Sequence, residues 1–481
     1  MSDYTAVIGL EVHAQLLTAS KIFSSDSAAY GGDPNTHVSV VSLGHPGTLP
    51  VLNQTCVEHA IRMGLAVGSE IREVNYFARK NYFYADLPKG YQISQDNTPI
   101  CNNGLVQIRK ADGTLKNIRI HRIHLEEDSG KSIHDQDPFH TLIDLNRAGV
   151  GLIEIVSEAD IADAEEAMAY LTEIRKLVRY LEICDGNMEE GSLRCDANIS
   201  IMPKGSTVWG TKVEVKNMNS ISNVGRAINY EIKRQAAALE AGEKITQQTR
   251  SWDAAKGITV SMRDKESAHD YRYFPEPDLP PLIVSESWKA EIQQSLPELP
   301  EALYQKYTQT LGLSAQDAII LTDQKHFALY FNRLINLGVN PKSAANWMLG
   351  SVRSWLNTQA SVISDFPLSP ETLFQLIQLV ENNKISLTLA KEKLFPLLTE
   401  NPERDPLELA TDNQWLLQAA NDNLEAELLS LIQQFPDKVT AYQQGKTGLL
   451  GFFVGQAMQK TGGNLDPKTL NQIITELLSK I

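Results

Sequence analysis

The sequence predicts an α+β fold, in which a first part containing a sheet precedes a second part that is almost wholly helical. From the start to about residue 285, apolar and polar residues alternate with the period of strands, and only two clear helical patterns interrupt them. Beyond that point one amphipathic helical pattern follows another. A chain of 481 residues also exceeds what one hydrophobic core serves, so two or three domains are expected.

Within the first part, apolar residues at helical spacing predict helices over about 163–183 and 223–241, the second ending at Gly242. The later helical patterns include 370–382, 413–434 and 467–478. A proline-rich run over 274–281 cannot continue a ladder or a helix, and Pro297 and Pro300 follow it. Pro402 and Pro406 mark a further hinge. We therefore predict three domains, over 1–293, 294–404 and 405–481.

The composition indicates a soluble protein of the cytoplasm. The first residues lack a basic segment followed by an apolar one, and the chain has no apolar stretch long enough to span a membrane. The four cysteines are widely spaced, which favours buried free thiols over disulfides or a zinc knuckle. The formal net charge of −15 opposes nucleic-acid binding in general. Lysines and arginines outnumber carboxylates between Glu73 and Arg122, however, so a local RNA contact is permitted.

One strand pattern carries chemistry on its polar face. Over residues 7–16 one face is wholly apolar, whereas the other presents Glu11, His13 and Gln15. Residues 193–201 alternate in the same way and present Asp196, and Lys216 lies on the polar face of a third strand. A charged sheet face is most often only solvated surface. Glu11 and His13, however, lie about 7 Å apart on one face, within reach of one metal ion or a metal pair.

Further oxygen and nitrogen donors occur between His121 and Asp128. Carboxylates with few thiols favour Mg²⁺ or Mn²⁺ over structural zinc. The apolar residues change parity between Ile120 and Ile123, so a bulge or turn is expected before the acidic triplet. Parity alone therefore does not decide whether Glu126 or Glu127 shares the face of Glu11.

Nucleotide-binding loops of the common kinds are missing from the sequence: neither G-x-x-x-x-G-K-[ST] nor G-x-G-x-x-G occurs. Any use of ATP must rely on a site of another design. A glycine-rich helical run lies between Gly445 and Gly463. Its glycines are explained either by close helix packing or by close approach to an RNA backbone.

Taken together, seven segments resemble the family of B subunits of the bacterial and organellar tRNA-dependent amidotransferases, over essentially the whole chain. They are VIGLEVHAQL, RKNYFYADLPKGYQISQ, HLEEDSGKSIH, DLNRAGVGLIEIVSE, MEEGSLRCDANIS, EVKNMNS and MRDKESAHDYRYFPEPDLPPL. The chain departs from the family where Val150-Gly151 replaces a usual Thr-Pro, which is expected to loosen a loop.

The resemblance implies a cradle-shaped N-terminal domain with an antiparallel sheet core, then a helical domain and a small helical tail that binds tRNA. It also implies that ATP phosphorylates the side-chain carboxylate of misacylated Glu-tRNA(Gln) or Asp-tRNA(Asn), and that ammonia then displaces the phosphate. The implied partners in a heterotrimer are the A subunit, an amidase that supplies the ammonia, and the small C subunit.

That reaction joins two anions, so Mg²⁺ and basic side chains are expected to dominate catalysis. We predict Glu11, His13 and Glu127 as metal ligands, with Glu126 as the substitute. Asp196 and Glu190 are predicted to hold a second ion or to steer ammonia, and Lys80, Arg147, Lys216 and Arg272 to clamp phosphate or the aminoacyl end. Tyr82 is a candidate for binding the cofactor; the alternative is that Tyr82, Tyr84 and Tyr273 are ordinary aromatic residues of the wall. Asp196 is also the candidate base for the ammonia proton.

Two rival functions remain from the sequence. The first is a tRNA-binding scaffold without catalysis, which has no need to gather metal donors on one face. The second is a free-standing metal hydrolase, which gives the long helical part no purpose.

Overall fold

The computed structural model describes residues 3–262, 271–417, 422–460 and 467–480, and the chain divides into two compact units, 1–300 and 301–481. The first unit contains the strands and the second is helical, so the α+β class is confirmed. The domain boundaries at 293 and 404 remain predictions. None of the described helices combines the length and apolar character needed to cross a membrane.

The elements of the first unit alternate between short strands and a few helices. The strands are β1 Tyr4–Gln15, β2 Glu70–Ile71, β3 Val74–Asn75, β4 Ala78–Asn81, β5 Tyr91–Ser94, β6 Cys101–Asn102, β7 Leu105–Arg109, β8 Leu115–Glu127, β9 Lys131–Ile133, β10 Leu142–Asp144, β11 Gly151–Ser157, β12 Leu193–Pro203, β13 Val213–Met218, β14 Gln248–Asp253, β15 Ile258–Ser261, β16 Phe274–Pro275 and β17 Leu282–Ile283. The helices are α1 Gln54–Ala66, α2 Ala164–Tyr180, α3 Ile221–Glu240 and α4 Glu286–Gln294.

Ten of the described strands form one sheet, ordered β15-β14-β13-β12-β1-β11-β8-β6-β2 with β7 also paired to β8. All its pairs are antiparallel except β13 with β14. Ile8, Leu10 and Val12 of β1 are fully buried in the core that α1, α2 and α3 cover. Each such side chain contributes about 1.5–3 kcal/mol through burial, which fixes the opposite, polar face of β1 outward.

Both helices predicted in this unit begin at a side-chain cap. Asp163 accepts a hydrogen bond from the backbone N–H of Glu166, and Ser220 accepts one from Asn223. Each cap is worth about 1 kcal/mol. The four cysteines are buried free thiols, as predicted.

Gly151 does not loosen a loop, because it is the first residue of β11. A Cβ atom at this position would lie 2.9 Å from Cys56 Sγ and 3.1 Å from Ile22 Cβ. The glycine therefore lets the core close against the start of the strand.

The second unit is built from helices, three π-helical segments and one 3₁₀ turn. The helices are α5 Pro300–Gln305, α6 Ala315–Leu321, α7 Lys325–Asn336, α8 Pro341–Trp347, α9 Arg353–Thr358, α10 Pro370–Glu381, α11 Leu387–Leu389, α12 Phe395–Glu400, α13 Pro406–Asp412, α14 Asp422–Gln433, α15 Pro436–Gln443, α16 Leu449–Lys460 and α17 Pro467–Lys480. The other segments are Lys306–Thr310, Met348–Val352 and Ala390–Leu394, and the 3₁₀ turn Ile363–Asp365.

The long helix predicted over 413–434 is wrong at its start. Helix α13 ends at Asp412, Gln414 has a φ of 58°, and α14 begins only at Asp422; residues 418–421 lie outside the described part. Helices α14 to α17 share a core of their own, in which Leu428, Phe453 and Ile474 are buried.

Candidate active site

The polar residues of five adjacent strands meet on one face of the large sheet. In β1, Glu11 lies opposite Asp196 of β12, and His13 lies opposite Glu154 of β11. Glu154 in turn lies opposite His124 of β8. Directly opposed residues in antiparallel strands point to the same side. The prediction that β1 has one packed and one polar face is therefore confirmed, and the polar face extends over β13, β12, β1, β11 and β8.

The first group of donors on this face is His124, Glu126 and Glu154, whose ligand atoms all lie within 4.8 Å of one another. All three side chains are buried. Glu154 Oε2 lies 3.3 Å from His13 Nε2 and 3.6 Å from His124 Nε2. Burial alone would raise the pKa of Glu154. The imidazoles of His124 and His13 nevertheless hold this pKa well below the usual range. Burial lowers the pKa of His124.

The second group is Glu11, Asp196 and Glu214, again with one oxygen each within 4.8 Å. Burial, followed by the negative charge of Glu154, raises the pKa of Glu11, while Lys216 opposes that increase. Lys216 Nζ lies 2.6 Å from Asp196 and 2.9 Å from Glu214. Three carboxylates with one nearby lysine repel one another, so binding of a cation between them is favourable.

The chemistry of both groups fits hard divalent cations. The second group offers only carboxylate oxygens, which suit Mg²⁺, whereas the first adds an imidazole nitrogen, which Mn²⁺ accepts more readily. Nδ1 of His124 is buried and has no hydrogen-bond partner in the structure. An unsatisfied buried polar atom is costly, so this first group is not organised for stability alone.

Lys80 approaches the first group from β4, outside the large sheet. Its Nζ lies 3.3 Å from Glu126 Oε2 and 5.4 Å from the centre of the Tyr271 ring. Burial opposes its charge, but Glu126 and Glu154 raise the pKa of Lys80 above its ordinary value. The lysine therefore stays charged next to the donors.

Aromatic rings stand beside Lys80. Tyr82 packs edge-on against Tyr84 and Tyr271, with ring centres 5.5 Å and 6.0 Å apart, and Tyr271 packs against Tyr273. These rings form a wall, and burial raises the pKa of the Tyr82 hydroxyl, so it stays protonated at neutral pH.

Glu126 and Glu127 point to opposite sides of β8. Glu126 lies opposite Leu152 and shares the face of Glu11, whereas Glu127 lies opposite Gly151 on the core side. Glu127 accepts hydrogen bonds from Lys89 Nζ and, at 2.7 Å, from the backbone N–H of Ile93. The structure therefore groups Glu126, not Glu127, with His124. The metal role predicted for either carboxylate remains a prediction.

Arg147, Glu190 and Arg272 lie outside the two groups of donors. Arg147 donates from Nε and Nη2 to the backbone carbonyls of Ser129 and Gly130, at 3.0 Å and 2.6 Å. Glu190 is exposed in the turn before β12. Arg272 is exposed, has a φ of 43°, and is separated only by Tyr271 from residues 263–270, which are not described. Their predicted roles remain predictions.

Glu154 was missed by sequence reasoning, although it is central to the site. The signal was present, since Glu154 is the one charge within the apolar run Leu152 to Val156. A carboxylate is almost never fully buried unless it is paired. A lone glutamate in an otherwise apolar strand therefore points to a partner, here His13 and His124.

The chain thus combines a sheet-containing unit that carries two groups of donors with a helical unit, and comparison with known sequences gives the class of protein. The GatB/GatE catalytic domain matches residues 6–290, and the GatB domain matches residues 329–478. The chain therefore belongs to the GatB/GatE family.

Several relatives that are similar to essentially the whole chain are named as the B subunit of aspartyl/glutamyl-tRNA(Asn/Gln) amidotransferase. One from a Synechococcus species is 49% identical over 478 residues, covering 98% of this chain and 97% of the relative. Those from Nitratidesulfovibrio vulgaris and Thermoanaerobacter pseudethanolicus are 49% and 48% identical, and each covers 99% of this chain and 100% of the relative. The resemblance to the amidotransferase B subunits is thus confirmed, and with it the ligase class of enzyme.

Proposed function

We propose that this chain uses ATP to phosphorylate the side-chain carboxylate of Glu or Asp on misacylated tRNA, after which ammonia displaces the phosphate. One observation supports the proposal: two groups of carboxylate and imidazole donors with the chemistry of cation ligands lie on one sheet face, each with a lysine in contact. Lys80 contacts the first group and Lys216 the second. A face that only needs to be solvated does not bury His124, Glu126 and Glu154 together.

The reaction explains why such a face is needed. A carboxylate oxygen of the aminoacyl group attacks the γ-phosphorus, ADP leaves, and an acyl phosphate results. Both reactants are anions, so positioning and charge neutralisation dominate. Mg²⁺ bound by the two groups would supply most of that neutralisation. The side chains of this protein hold the groups in place, exclude water, and add fixed positive charge.

We assign the remaining roles as follows. Lys80, Lys216 and Arg272 bind phosphate oxygens, with Arg147 at the aminoacyl end, and Tyr82 forms a wall for the nucleotide or aminoacyl group. Asp196 and Glu190 hold a second ion or steer ammonia. Asp196 takes the proton that nitrogen loses when it attacks the acyl phosphate and phosphate leaves. The contact between Asp196 and Lys216, at 2.6 Å, supports the assignment because the lysine keeps the carboxylate oriented.

The partners follow from the same reaction. We propose that the chain works in the cytoplasm with the A subunit, which is the amidase, and with the small C subunit, and that the tail binds tRNA. In the tail, Gly451 and Gly455 of α16 are exposed, and a Cβ at either would have no atom within 4 Å. Close helix packing therefore does not account for them, which favours the alternative that an RNA backbone approaches this surface.

The test is Glu11→Ala in the complete purified complex, with transfer of the ATP γ-phosphate to the aminoacyl group as the readout. We expect a loss of at least about 10²-fold, while glutamine hydrolysis and tRNA binding persist. Glu70→Ala is the matched control, because Glu70 is an exposed glutamate on the edge strand β2 and should change nothing. Normal product formation by Glu11→Ala would refute the assignment and favour a scaffold without catalysis.

A further inference from the structure

Arg194 is a charged side chain on the donor-bearing face for which the proposed reaction has so far provided no role. It is the second residue of β12 and lies directly opposite His13 of β1. His13 contacts Glu154 of the first donor group, and Asp196, two residues after Arg194 on the same side of β12, belongs to the second. Arg194 is therefore a neighbour of Asp196 in the second group, and His13 alone separates it from Glu154 of the first group.

The guanidinium of Arg194 is held at one end only. Its Nη2 donates to Asp128 Oδ2 at 2.7 Å, whereas its Nε is buried and has no hydrogen-bond partner in the structure. About a third of the side chain (34%) remains exposed. An arginine offers five donors in a planar fork, so most of its hydrogen-bonding capacity is available on the polar face.

Asp128 does not require this arginine to be satisfied. The same Oδ2 accepts from Gln15 Nε2 at 2.8 Å, Oδ1 accepts from the backbone N–H of Ser129 at 2.9 Å, and Arg147 Nε lies 3.8 Å away. Asp128 is better described as an anchor that aims Arg194. Burial opposes the charge, but Asp128, Asp196 and Glu126 raise the pKa of Arg194, so the guanidinium remains positive.

We propose that Arg194 is a further catalytic residue, whose free fork binds the oxygens of the phosphoryl group during transfer. This inference rests on the proposed function. A bidentate guanidinium matches two phosphate oxygens, and a fixed positive charge is most useful where negative charge develops. Lys80 contacts only the first donor group and Lys216 only the second, whereas Arg194 feels the charges of both Asp196 and Glu126.

The experiment measures single-turnover transfer of the γ-phosphate in the complete complex, with no ammonia donor present. Arg194→Ala should lower the rate by about 10²–10³-fold, with little change in the KM for ATP. Arg194→Lys keeps a charge but loses the fork, so an intermediate loss is expected, and this variant carries the test should Arg194→Ala fail to fold. Free guanidinium ion should partly restore Arg194→Ala, which a purely structural role would not predict.

Two controls separate catalysis from structure. Arg119→Ala removes an exposed guanidinium that pairs with Asp160 at 2.7 Å, and it should transfer phosphate normally. Asp128→Asn keeps the guanidinium but weakens its anchor, and should lose less than Arg194→Ala. If Asp128→Asn and Arg194→Ala lose equally and the double variant loses no more, Arg194 acts only through the ion pair and the inference is overturned.

The failure of this inference can be told from failure of the proposed function. If Glu11→Ala abolishes transfer while Arg194→Ala and Arg194→Lys retain it, the function stands and the role of Arg194 is refuted. If all three variants retain transfer, the proposed function itself is wrong.

Discussion

Replacing Glu154 by glutamine tests whether the first donor group binds a cation. The amide has the same shape but no charge, so the charge-assisted contact to His13 at 3.3 Å is weakened. The second imidazole, that of His124, has its Nε2 3.6 Å from Glu154 Oε2, which is beyond hydrogen-bond distance. One contact to a charged group is worth about 1.5–3 kcal/mol, and this is the stability loss we expect without metal.

The stability loss should depend on pH in a defined direction. The pKa of Glu154 lies below its ordinary value of 4.5, so its stabilising effect is present above pH 4.5 and is lost as the pH falls through the lower, folded-state pKa. The difference in melting temperature between the two proteins should therefore shrink below pH 4.5.

The decisive assay for Glu154→Gln is titration with Mn²⁺ followed by electron paramagnetic resonance. We expect two bound ions per chain in the unmodified protein and one in the variant, because the first group loses one of its two carboxylates. The affinity of the first group for Mn²⁺ should fall by at least about 10²-fold, which exceeds the usual effect of changing a residue that only contacts a metal ligand.

The matched control for that titration is Glu158→Gln. Glu158 also pairs with a histidine, His121, at 2.9 Å, but both side chains are exposed, so stability should change by less than about 1 kcal/mol and Mn²⁺ binding not at all. Unchanged Mn²⁺ stoichiometry and affinity in Glu154→Gln would refute the reasoning that assigns the cation to this group.

Three further predictions concern the rest of the first unit. The pKa of Glu11 is raised by burial, so the cation-free protein should lose stability as the pH rises above 4.5. Calorimetry should therefore find a larger Mg²⁺-induced rise in melting temperature at pH 7 than at pH 4.5. Thr249 donates to Glu214 at 2.7 Å, so Thr249→Val should weaken Mn²⁺ binding at the second group by about 10-fold or more; unchanged affinity would contradict this. Glu231 is fully buried and paired with Arg234, so Glu231→Gln should cost about 3 kcal/mol in urea unfolding, without effect on Mn²⁺ stoichiometry.

The faces of the long strands could be predicted from sequence because they depend on a period of two. The apolar set Ile8, Leu10 and Val12 determines which side of β1 is packed, and this determines the side of Glu11 and His13. The bulge predicted before the acidic triplet is confirmed, because the register of β8 against β11 shifts between Ile120 and Arg122. It was predictable for the same reason, since the buried residues on both sides of the bulge must face one core.

What lay beyond the sequence is which strands are neighbours. Glu154 joins His124 only because β11 pairs with β8, and Asp196 joins Glu11 only because β12 pairs with β1. These pairings bring together residues far apart in the chain, and no local pattern encodes them. Glu127 shows that residues adjacent in sequence need not share a site. It belongs to an acidic triplet in the sequence, but its side chain points to the core side of β8.

The bulge in β8 also determines where this strand tolerates changes in length. Ser157 pairs with Ile120 and Val156 with Arg122, so His121 is an extra residue with no counterpart in β11. Removal of His121 would restore a regular ladder between β8 and β11. The side chains of β8 before and after the bulge would still point to the same faces of the sheet. A single insertion or deletion beyond Ile123 would instead rotate the donors into the core. Related chains that vary in length within this strand should therefore do so at the bulge, and an engineered tag or loop is better placed in the β7–β8 turn.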